Sequence, residues 1–310
     1  MKVKNVKHSN KKIKRIPLDR EVVAYLGEFF GRDITNTTPE ASESELTYSV
    51  KQNDQVQLDY VFNRQRINQI KKQLNINDST TEIQVGRLAS KFWLSLIVFA
   101  FEQADLSDEP NKISGSFKYS DVIKLWNVKK SGAIYSDIRN LFISLAAAKF
   151  VKKTLTNEKT EIEFYNLINY AKITEQKSSG AQTKFYFELD ERALSITADW
   201  IRFGKLSLSQ QADGYISIPI SDLSESSKNS NYINFRERLR LYPGGEIKAI
   251  TILRDWGKLT EDNLKRREFC YKLLNESLER AKNEKEIKSY KCDLELNSKW
   301  RENWHIKIVK

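Results

Sequence analysis

The stretch SDVIKLWNVKKSGAIYSDIRNLFISLAAAKF, residues 120–150, predicts two helices joined by a short turn. Ser120 can cap a first helix, Asp121 to Asn127, by accepting a hydrogen bond from an otherwise unpaired amide of its first turn. A longer helix, Ala133 to Phe150, follows the turn. Its apolar residues recur at alternating spacings of four and three and form one stripe: Ile134, Ile138, Leu141, Leu145 and Ala148.

Strands are predicted after this helix pair. Glu161 to Ile173 is rich in β-branched and aromatic residues, and Thr183 to Leu189 alternates apolar with polar positions. A polar tip, Gln176 to Gln182, separates the two strands. Upstream, Thr81 to Ala104 predicts an apolar helix whose centre, Phe92 to Phe101, should be the buried spine of a domain. A helix pair followed by a two-stranded ribbon is the element order of a winged helix.

A second, less regular copy of this pattern occupies the C-terminal part of the chain. Tyr215 to Ile220 predicts an edge strand, because Pro219 cannot donate to a ladder. Glu246 to Lys258 predicts a helix, and Thr260 can cap a long helix that runs to about Lys285. Two strand-like runs close the chain, Ile287 to Leu296 and Trp304 to Val309.

We therefore expect an α+β protein with two winged-helix domains in tandem, residues 81–212 and 213–310. Residues 1–20 hold eight Lys or Arg and one Asp, and they predict a flexible basic arm that gains affinity for a polyanion by releasing counterions. Residues 21–80 are expected to be a helical N-terminal region. Its two apolar sides would be Val22, Val23, Leu26, Phe29 and Phe30, and Leu58, Val61, Phe62, Ile67, Ile70 and Leu74.

Double-stranded DNA is the predicted partner, since the chain carries a net charge of +11 and the second helix of the first copy shows polar and basic side chains in its first two turns. The predicted DNA-binding residues are Lys11, Lys12, Lys14 and Arg15 in the arm; Lys129, Lys130 and Ser131 in the turn; Tyr135, Ser136, Arg139 and Asn140 in the helix; Lys177 and Ser178 at the ribbon tip; and Lys265, Arg266, Arg267, Lys299 and Arg301 in the second copy.

Three of these assignments have a plain structural alternative. Any one lysine of the arm also fits a solubilising tail, which accounts less well for the whole cluster. The tip at 176–182 also fits an ordinary solvated hairpin loop. In the second copy, the exposed side of the long helix mixes Lys265 and Lys272 with Glu268, Glu276 and Glu279, and carboxylates there would repel phosphate. Only the start of that helix suits DNA, so its second half is expected to be a solvated structural face.

Several classes of protein are disfavoured. The two cysteines give no disulfide framework or metal spacing, and the two histidines, His8 and His305, have no plausible catalytic partner nearby. Gly204-Lys205 and Gly257-Lys258 lack the first glycine of a phosphate-binding loop. No segment reaches the roughly 20 apolar residues of a membrane span. We expect no enzyme activity, no cofactor, no metal and no membrane contact, and a cytoplasmic location.

The basic tail, the Trp93-bearing apolar helix, the Lys129-Lys130-Ser131 turn and the second unit ending in 287–309 together resemble the tandem winged-helix replication initiators of plasmids. In that family the second unit tends to begin with a Ser-x-Tyr that precedes an Arg-Leu-Tyr. Ser230-Asn231-Tyr232 and Arg240-Leu241-Tyr242 echo this run.

The resemblance implies a protein that binds repeated origin sites through both winged helices, helps to open an adjacent AT-rich duplex and recruits the host replicative helicase or its loader. It also implies exchange between monomers and a homodimer. A transcriptional repressor of the same architecture is the competing interpretation, and a protein-interaction scaffold is a third.

Overall fold

The computed structural model describes residues 13–18, 45–51, 56–73, 87–104, 112–156, 159–175, 183–212, 215–224, 244–256, 267–293 and 303–310, together with 232, 235–236, 239–240 and 242. The chain divides into two compact units, Met1–Tyr25 with Asp33–Glu225 and Leu26–Arg32 with Ser226–Lys310. Helices and sheets are combined, as the sequence predicts.

The first unit contains, in chain order, β1 (Arg15–Leu18), β2 (Glu45–Lys51), β3 (Val56–Asn63), α1 (Arg64–Gln73), α2 (Arg87–Gln103), β4 (Ile113–Lys118), α3 (Tyr119–Trp126), α4 (Gly132–Ala147), β5 (Ala148–Leu155), β6 (Thr160–Asn166), β7 (Ile168–Thr174), β8 (Lys184–Leu189), α5 (Glu191–Leu194), α6 (Ile196–Phe203), α7 (Leu208–Ala212), β9 (Ile216–Pro219) and a 3-10 helix (Ile220–Ser224). The second unit contains β10 (Gly245–Lys248), α8 (Ala249–Asp255), α9 (Arg267–Asn283), β11 (Ser289–Asp293) and β12 (His305–Val309).

The core of the first unit forms where α2 and α4 pack on a sheet of strand order β4-β8-β7. The predicted stripe of α4 is confirmed at Ile138, Leu141 and Leu145, which are each at most 1% exposed. Ile134 is half-buried, and Ala148 belongs to β5 rather than to the helix. The apolar centre of α2 is buried from residue 92 to residue 100, as expected. Phe117 of β4 joins these layers, and its ring stacks on that of Phe185 from β8 at a centroid distance of 4.7 Å.

Local hydrogen bonds set the ends of α3 and α4. The predicted cap at Ser120 is wrong: α3 begins at Tyr119, and the Asp121 carboxylate accepts the Lys118 backbone N–H at 2.8 Å instead. Ser131 caps α4, because its hydroxyl accepts the Ile134 N–H at 3.2 Å. The helix ends at Ala147, three residues before the predicted end at Phe150, because β5 begins directly at residue 148 and pairs with β3.

The expectation of a helical region at residues 21–80 is wrong at 45–51 and 56–63. These residues form the strands β2 and β3, which pair antiparallel and continue through β5 and β6 as a four-stranded sheet. Alternate positions of β3 are apolar, from Val56 to Phe62, and this period of two is typical of a strand. Among the described residues of this region, helix is present only in the following α1, where Ile67 is 1% exposed. Val22, Val23, Leu26, Phe29, Phe30 and Leu74 lie outside the described residues.

The flexible arm predicted for residues 1–20 does not extend through residue 18. β1 pairs antiparallel with β9, and Ile16 and Leu18 are 0% exposed. The apolar residues of β1 are therefore buried where this strand pairs with β9. The basic residues on either side of β1 led the sequence analysis to predict an exposed arm instead. β9 is the strand expected at 215–220, but its pairing assigns it to the first unit rather than to a domain that begins at residue 213.

The second unit has a sheet of strand order β10-β12-β11 with α8 and α9 packed on it. The two closing strands are confirmed as β11 and β12. The helix predicted at 246–258 is correct only for α8, because Gly245–Lys248 pairs with β12 as a strand. The buried side of α9 consists of Cys270, Leu274, Ser277, Leu278 and Ala281, and Leu273 is half-buried.

Candidate nucleic-acid interface

An exposed polar and basic surface surrounds the start of α4. Lys129 and Lys130 are exposed in the turn before the helix, and Tyr135 and Ser136 are exposed on its first two turns. Ser131 is also exposed, but its hydroxyl oxygen already holds the end of the helix through Ile134. The predicted residues of the turn and of the first helical turns therefore lie together on one accessible surface.

Arg139, a predicted DNA-binding residue of α4, is only partly exposed and already has partners within the protein. Its side chain is 28% exposed, and its Nη2 forms an ion pair with the carboxylate of Glu175, the residue that follows β7. Its Nε donates to the Tyr119 hydroxyl at 3.2 Å. Asn140, the next residue along α4, is half-buried. The guanidinium is thus held between the helix and the base of the ribbon.

Tyr119 supports this arrangement from inside the unit. The residue is 8% exposed, and its ring lies 4.9 Å from that of Tyr135 and 5.0 Å from that of Phe185. Burial raises the pKa of the Tyr119 hydroxyl, although the nearby Arg139 acts in the opposite direction. The hydroxyl therefore stays protonated near neutral pH, so it can accept from Arg139 and donate its own hydrogen.

The ribbon β7-β8 has an accessible basic and aromatic face that the sequence assignment of DNA contacts omitted. Lys184 lies 4.8 Å and Lys172 5.6 Å from the ring of Tyr186. Lys172 and Tyr186 are opposite each other in the ladder. The alternation of residues 184–189 in the sequence is enough to put Lys184 and Tyr186 on one face of β8. That Lys172 lies beside them follows only from the register between β7 and β8. The predicted tip residues, Lys177 and Ser178, lie outside the described residues.

The predicted sites in the arm and the second unit are only partly described. Lys14 and Arg15 are exposed, and Arg15 donates to the Ser217 hydroxyl at 2.8 Å, so it supports the β1-β9 pair. Arg267, the first residue of α9, is half-buried. The remaining predicted residues lie outside the described ranges: Lys11, Lys12, Lys265, Arg266, Lys299 and Arg301.

The mixed-charge side of α9 is exposed, as expected. Lys272 lies 3.8 Å from Glu276, and Lys282 lies 3.9 Å from Glu279. Such exposed pairs stabilise a helix surface only slightly. In this part of α9 the carboxylates stand beside each basic residue, which fits the structural alternative better than a phosphate contact.

Tyr232 and Arg240, which belong to the two runs quoted for the family resemblance, make part-buried polar contacts in the second unit. Glu284 accepts hydrogen bonds from the Tyr232 hydroxyl at 2.9 Å, from Arg236 Nη1 at 2.9 Å and from Arg280 Nε at 2.8 Å. Burial alone would raise the pKa of Glu284, but these donors and the two guanidinium charges hold the pKa below its ordinary value. Arg240 forms an ion pair with Glu286.

The described part of the chain also bears on metal binding, cysteine reactivity, histidine pairing and membrane crossing. No group of three or more His, Cys, Asp and Glu side chains there is arranged to hold a metal ion. Burial raises the pKa of the Cys270 thiol and raises that of Cys292 to about 11. His305 Nδ1 lies 3.1 Å from a carboxylate oxygen of Glu246, across the β10-β12 pair. Among the helices described, none has both the length and the apolar character that crossing a bilayer requires.

No protein-family model and no curated protein sequence matches the chain. Solved structures do match. Domains 2 and 3 of RctB superpose with a TM-score of 0.51 at 10% identity, covering 93% of this chain and 98% of that chain. The chain shares the fold of RctB domains 2 and 3. A second structure of the same RctB domains gives a TM-score of 0.50 at 10% identity, with 93% and 97% of the two chains covered. The WH1 domain of the replication protein MSBI1.176 covers 45% of the chain at a TM-score of 0.26 and 11% identity.

Proposed function

We propose that this protein is a non-enzymatic replication initiator whose two units are winged helices that bind double-stranded DNA. The observation that carries the proposal is the accessible start of α4, with Lys129, Lys130, Tyr135 and Ser136, beside the ribbon β7-β8. The fold that the chain shares with RctB domains 2 and 3 is compatible with this proposal. In the second unit, β10, α8, α9 and the strands β11 and β12 follow the order expected of a winged helix. In the first unit, β4, α3 and α4 are followed by β5 and β6 of another sheet before β7 and β8, so the proposal treats β5 and β6 as an insertion.

In this proposal α4 enters the major groove with its first two turns. Ser136 and Asn140 can hydrogen-bond base edges, and Tyr135 can contact a base edge or a phosphate. Lys129 and Lys130 would pair with phosphates beside the groove, and Lys172 and Lys184 would place the ribbon on the backbone. Lysines in residues 1–14 add attraction that depends on salt and not on sequence.

The second unit would use the start of α9, with Arg267 and the basic residues just before it, and leave the mixed-charge part of α9 in solvent. Two linked modules on one duplex make the second binding event effectively intramolecular, so repeated sites at an origin would be occupied together. Assistance with opening an AT-rich duplex, recruitment of the host replicative helicase or its loader, and a homodimeric state complete the proposal.

The test is selection of bound fragments from a random duplex library at about 0.15 M salt, followed by sequencing. Enrichment of a site long enough for two modules, recurring in tandem beside the protein's own gene, is the expected result. Enrichment of one promoter-sized palindrome alone would favour a transcriptional repressor over a replication initiator. Binding without any sequence enrichment would point to an interaction scaffold instead.

A further inference from the structure

A guanidinium at the centre of the candidate interface is already bound to an anion. Arg139 Nη2 pairs with Glu175, while Arg139 Nε is held by the Tyr119 hydroxyl at 3.2 Å. The side chains of Arg139 and Glu175 are 28% and 41% exposed, so the pair lies at the surface and not in the core. The helix α4 and the end of β7 meet at this point.

Carboxylates and phosphates compete for the same fork of donors on an arginine. Both anions present two oxygens that match the parallel N–H groups of a guanidinium. The buried Tyr119 fixes one edge of the Arg139 side chain from inside the unit, so an incoming anion would meet a guanidinium that is already oriented. Since Tyr119 accepts from Arg139, its own O–H can be donated to the same anion.

We propose that Arg139 and Tyr119 form a site for a DNA phosphate, and that Glu175 occupies this site as a competing anion when DNA is absent. This inference rests on the proposed function, because it assumes that α4 faces DNA. Binding then exchanges one anion for another at Arg139, and the displaced Glu175 carboxylate is left beside the polyanion. Glu175 consequently lowers the affinity for any duplex, while Arg139 raises it.

A double-mutant cycle on the full chain separates exchange from simple charge repulsion. The probe is a mixed-sequence duplex at about 0.15 M salt, and dissociation constants are measured for the wild type, Arg139→Ala, Glu175→Gln and the double variant. We expect Arg139→Ala to weaken binding about tenfold. Glu175→Gln should tighten it about two- to fivefold, the range for releasing an exposed ion pair. In the Arg139→Ala background, Glu175→Gln should have almost no effect.

Glu161→Gln is the matched control, because it removes the same charge from another exposed ion pair of the first unit, with Lys159 at the start of β6. Its affinity should equal that of the wild type. Thermal unfolding of each variant identifies any loss of fold before the binding data are compared.

The outcomes are distinct. A gain for Glu175→Gln that persists in full without Arg139 would mean long-range repulsion and would overturn the exchange, and so would a loss of affinity in Glu175→Gln. A second probe, the duplex enriched by the library selection, tests the phosphate itself: Arg139→Ala should weaken both duplexes alike, and a much larger loss on the enriched site would assign Arg139 to a base edge. No effect of Arg139→Ala on either duplex would overturn the phosphate site at Arg139, whereas no effect of Lys129→Ala with Lys130→Ala would reject the proposed DNA-binding surface itself.

Discussion

Gly115 shows how one missing methyl group positions two elements. A Cβ at this residue of β4 would lie 2.7 Å from Phe187 Cζ and 3.4 Å from the Cα of Ala100 in α2. Phe187 is 1% exposed, so its ring is enclosed in the core. We expect Gly115→Ala to lower the free energy of unfolding by about 1–3 kcal/mol through overpacking, measured by urea unfolding.

Gly132 is the matched control, because nothing lies within 4 Å of a Cβ built there. Gly132→Ala at the start of α4 should leave stability unchanged or raise it slightly, since alanine has less conformational freedom to lose. Equal losses in the two variants would show that β4 and α2 do not pack as closely as described.

Asp190 should make stability depend on pH. Its buried carboxylate accepts from the backbone N–H groups of Asn166 and Arg192 and from Arg192 Nη2 at 2.7 Å. Burial alone would raise the pKa of Asp190, but these donors outweigh burial and lower it. Its contribution is therefore complete above the pKa of the unfolded chain, near 3.9, and disappears as the pH falls through the lower folded value.

We expect Asp190→Asn to lower the free energy of unfolding at neutral pH by about 1.5–3 kcal/mol, because hydrogen bonds to a charged group are removed. Denaturant titrations across pH should show this deficit shrinking below about pH 4, where the wild-type carboxylate becomes protonated. A deficit that stays constant down to acid pH would contradict the assignment. Glu163→Gln, at an exposed position of β6, should change stability little at any pH.

At the scale of elements, the N-terminal segment has two parts with different expected roles. The basic residues before β1 should contribute to DNA binding, and β1 itself should contribute to the stability of the first unit. Removal of residues 1–12 deletes five lysines and leaves β1 intact. We expect this truncation to keep the unfolding midpoint, to weaken DNA binding and to reduce the salt slope by about 0.9 for each phosphate that the arm no longer neutralises. Fluorescence anisotropy over a salt series measures the slope.

Removal of residues 1–18 is the comparison that tests β1. It also deletes Ile16 and Leu18, both 0% exposed, and the Pro17 carbonyl that accepts from Thr197 at 2.8 Å. Losing two buried apolar side chains should lower the free energy of unfolding by roughly 3–6 kcal/mol. If both truncations were equally stable, β1 would contribute nothing to the first unit and the arm would extend through it.

For the whole molecule, the two-module proposal predicts a dependence on the length of the DNA. A duplex that carries sites for both units should bind about 100- to 10,000-fold more tightly than either half alone, because the linked second event is intramolecular. The sites come from the library selection, and the measurement is competition at about 0.15 M salt. Lys129→Ala with Lys130→Ala should weaken the full site and the first half-site, and leave the second half-site unaffected.

The sequence by itself determined the local elements whose signals lie within a few residues. The helix pair at 119–147, the alternation of β8, the closing strands β11 and β12 and the exposed charges of α9 all follow from periodicity and turn chemistry. It also supplied the basic turn at Lys129 and Lys130. These features depend on neighbours along the chain, which a sequence shows directly.

Tertiary structure decided what depends on distant partners. Residues 45–51, 56–63 and 245–248 became strands because other strands were available to pair with them, and β1 was buried by β9, about 200 residues away. The same reason governs the site: the pattern of α4 predicted Arg139 on its polar side, but only the fold brought Glu175 and Tyr119 to its guanidinium. Pairing between residues far apart in the chain leaves no local period, so the sequence could not determine it.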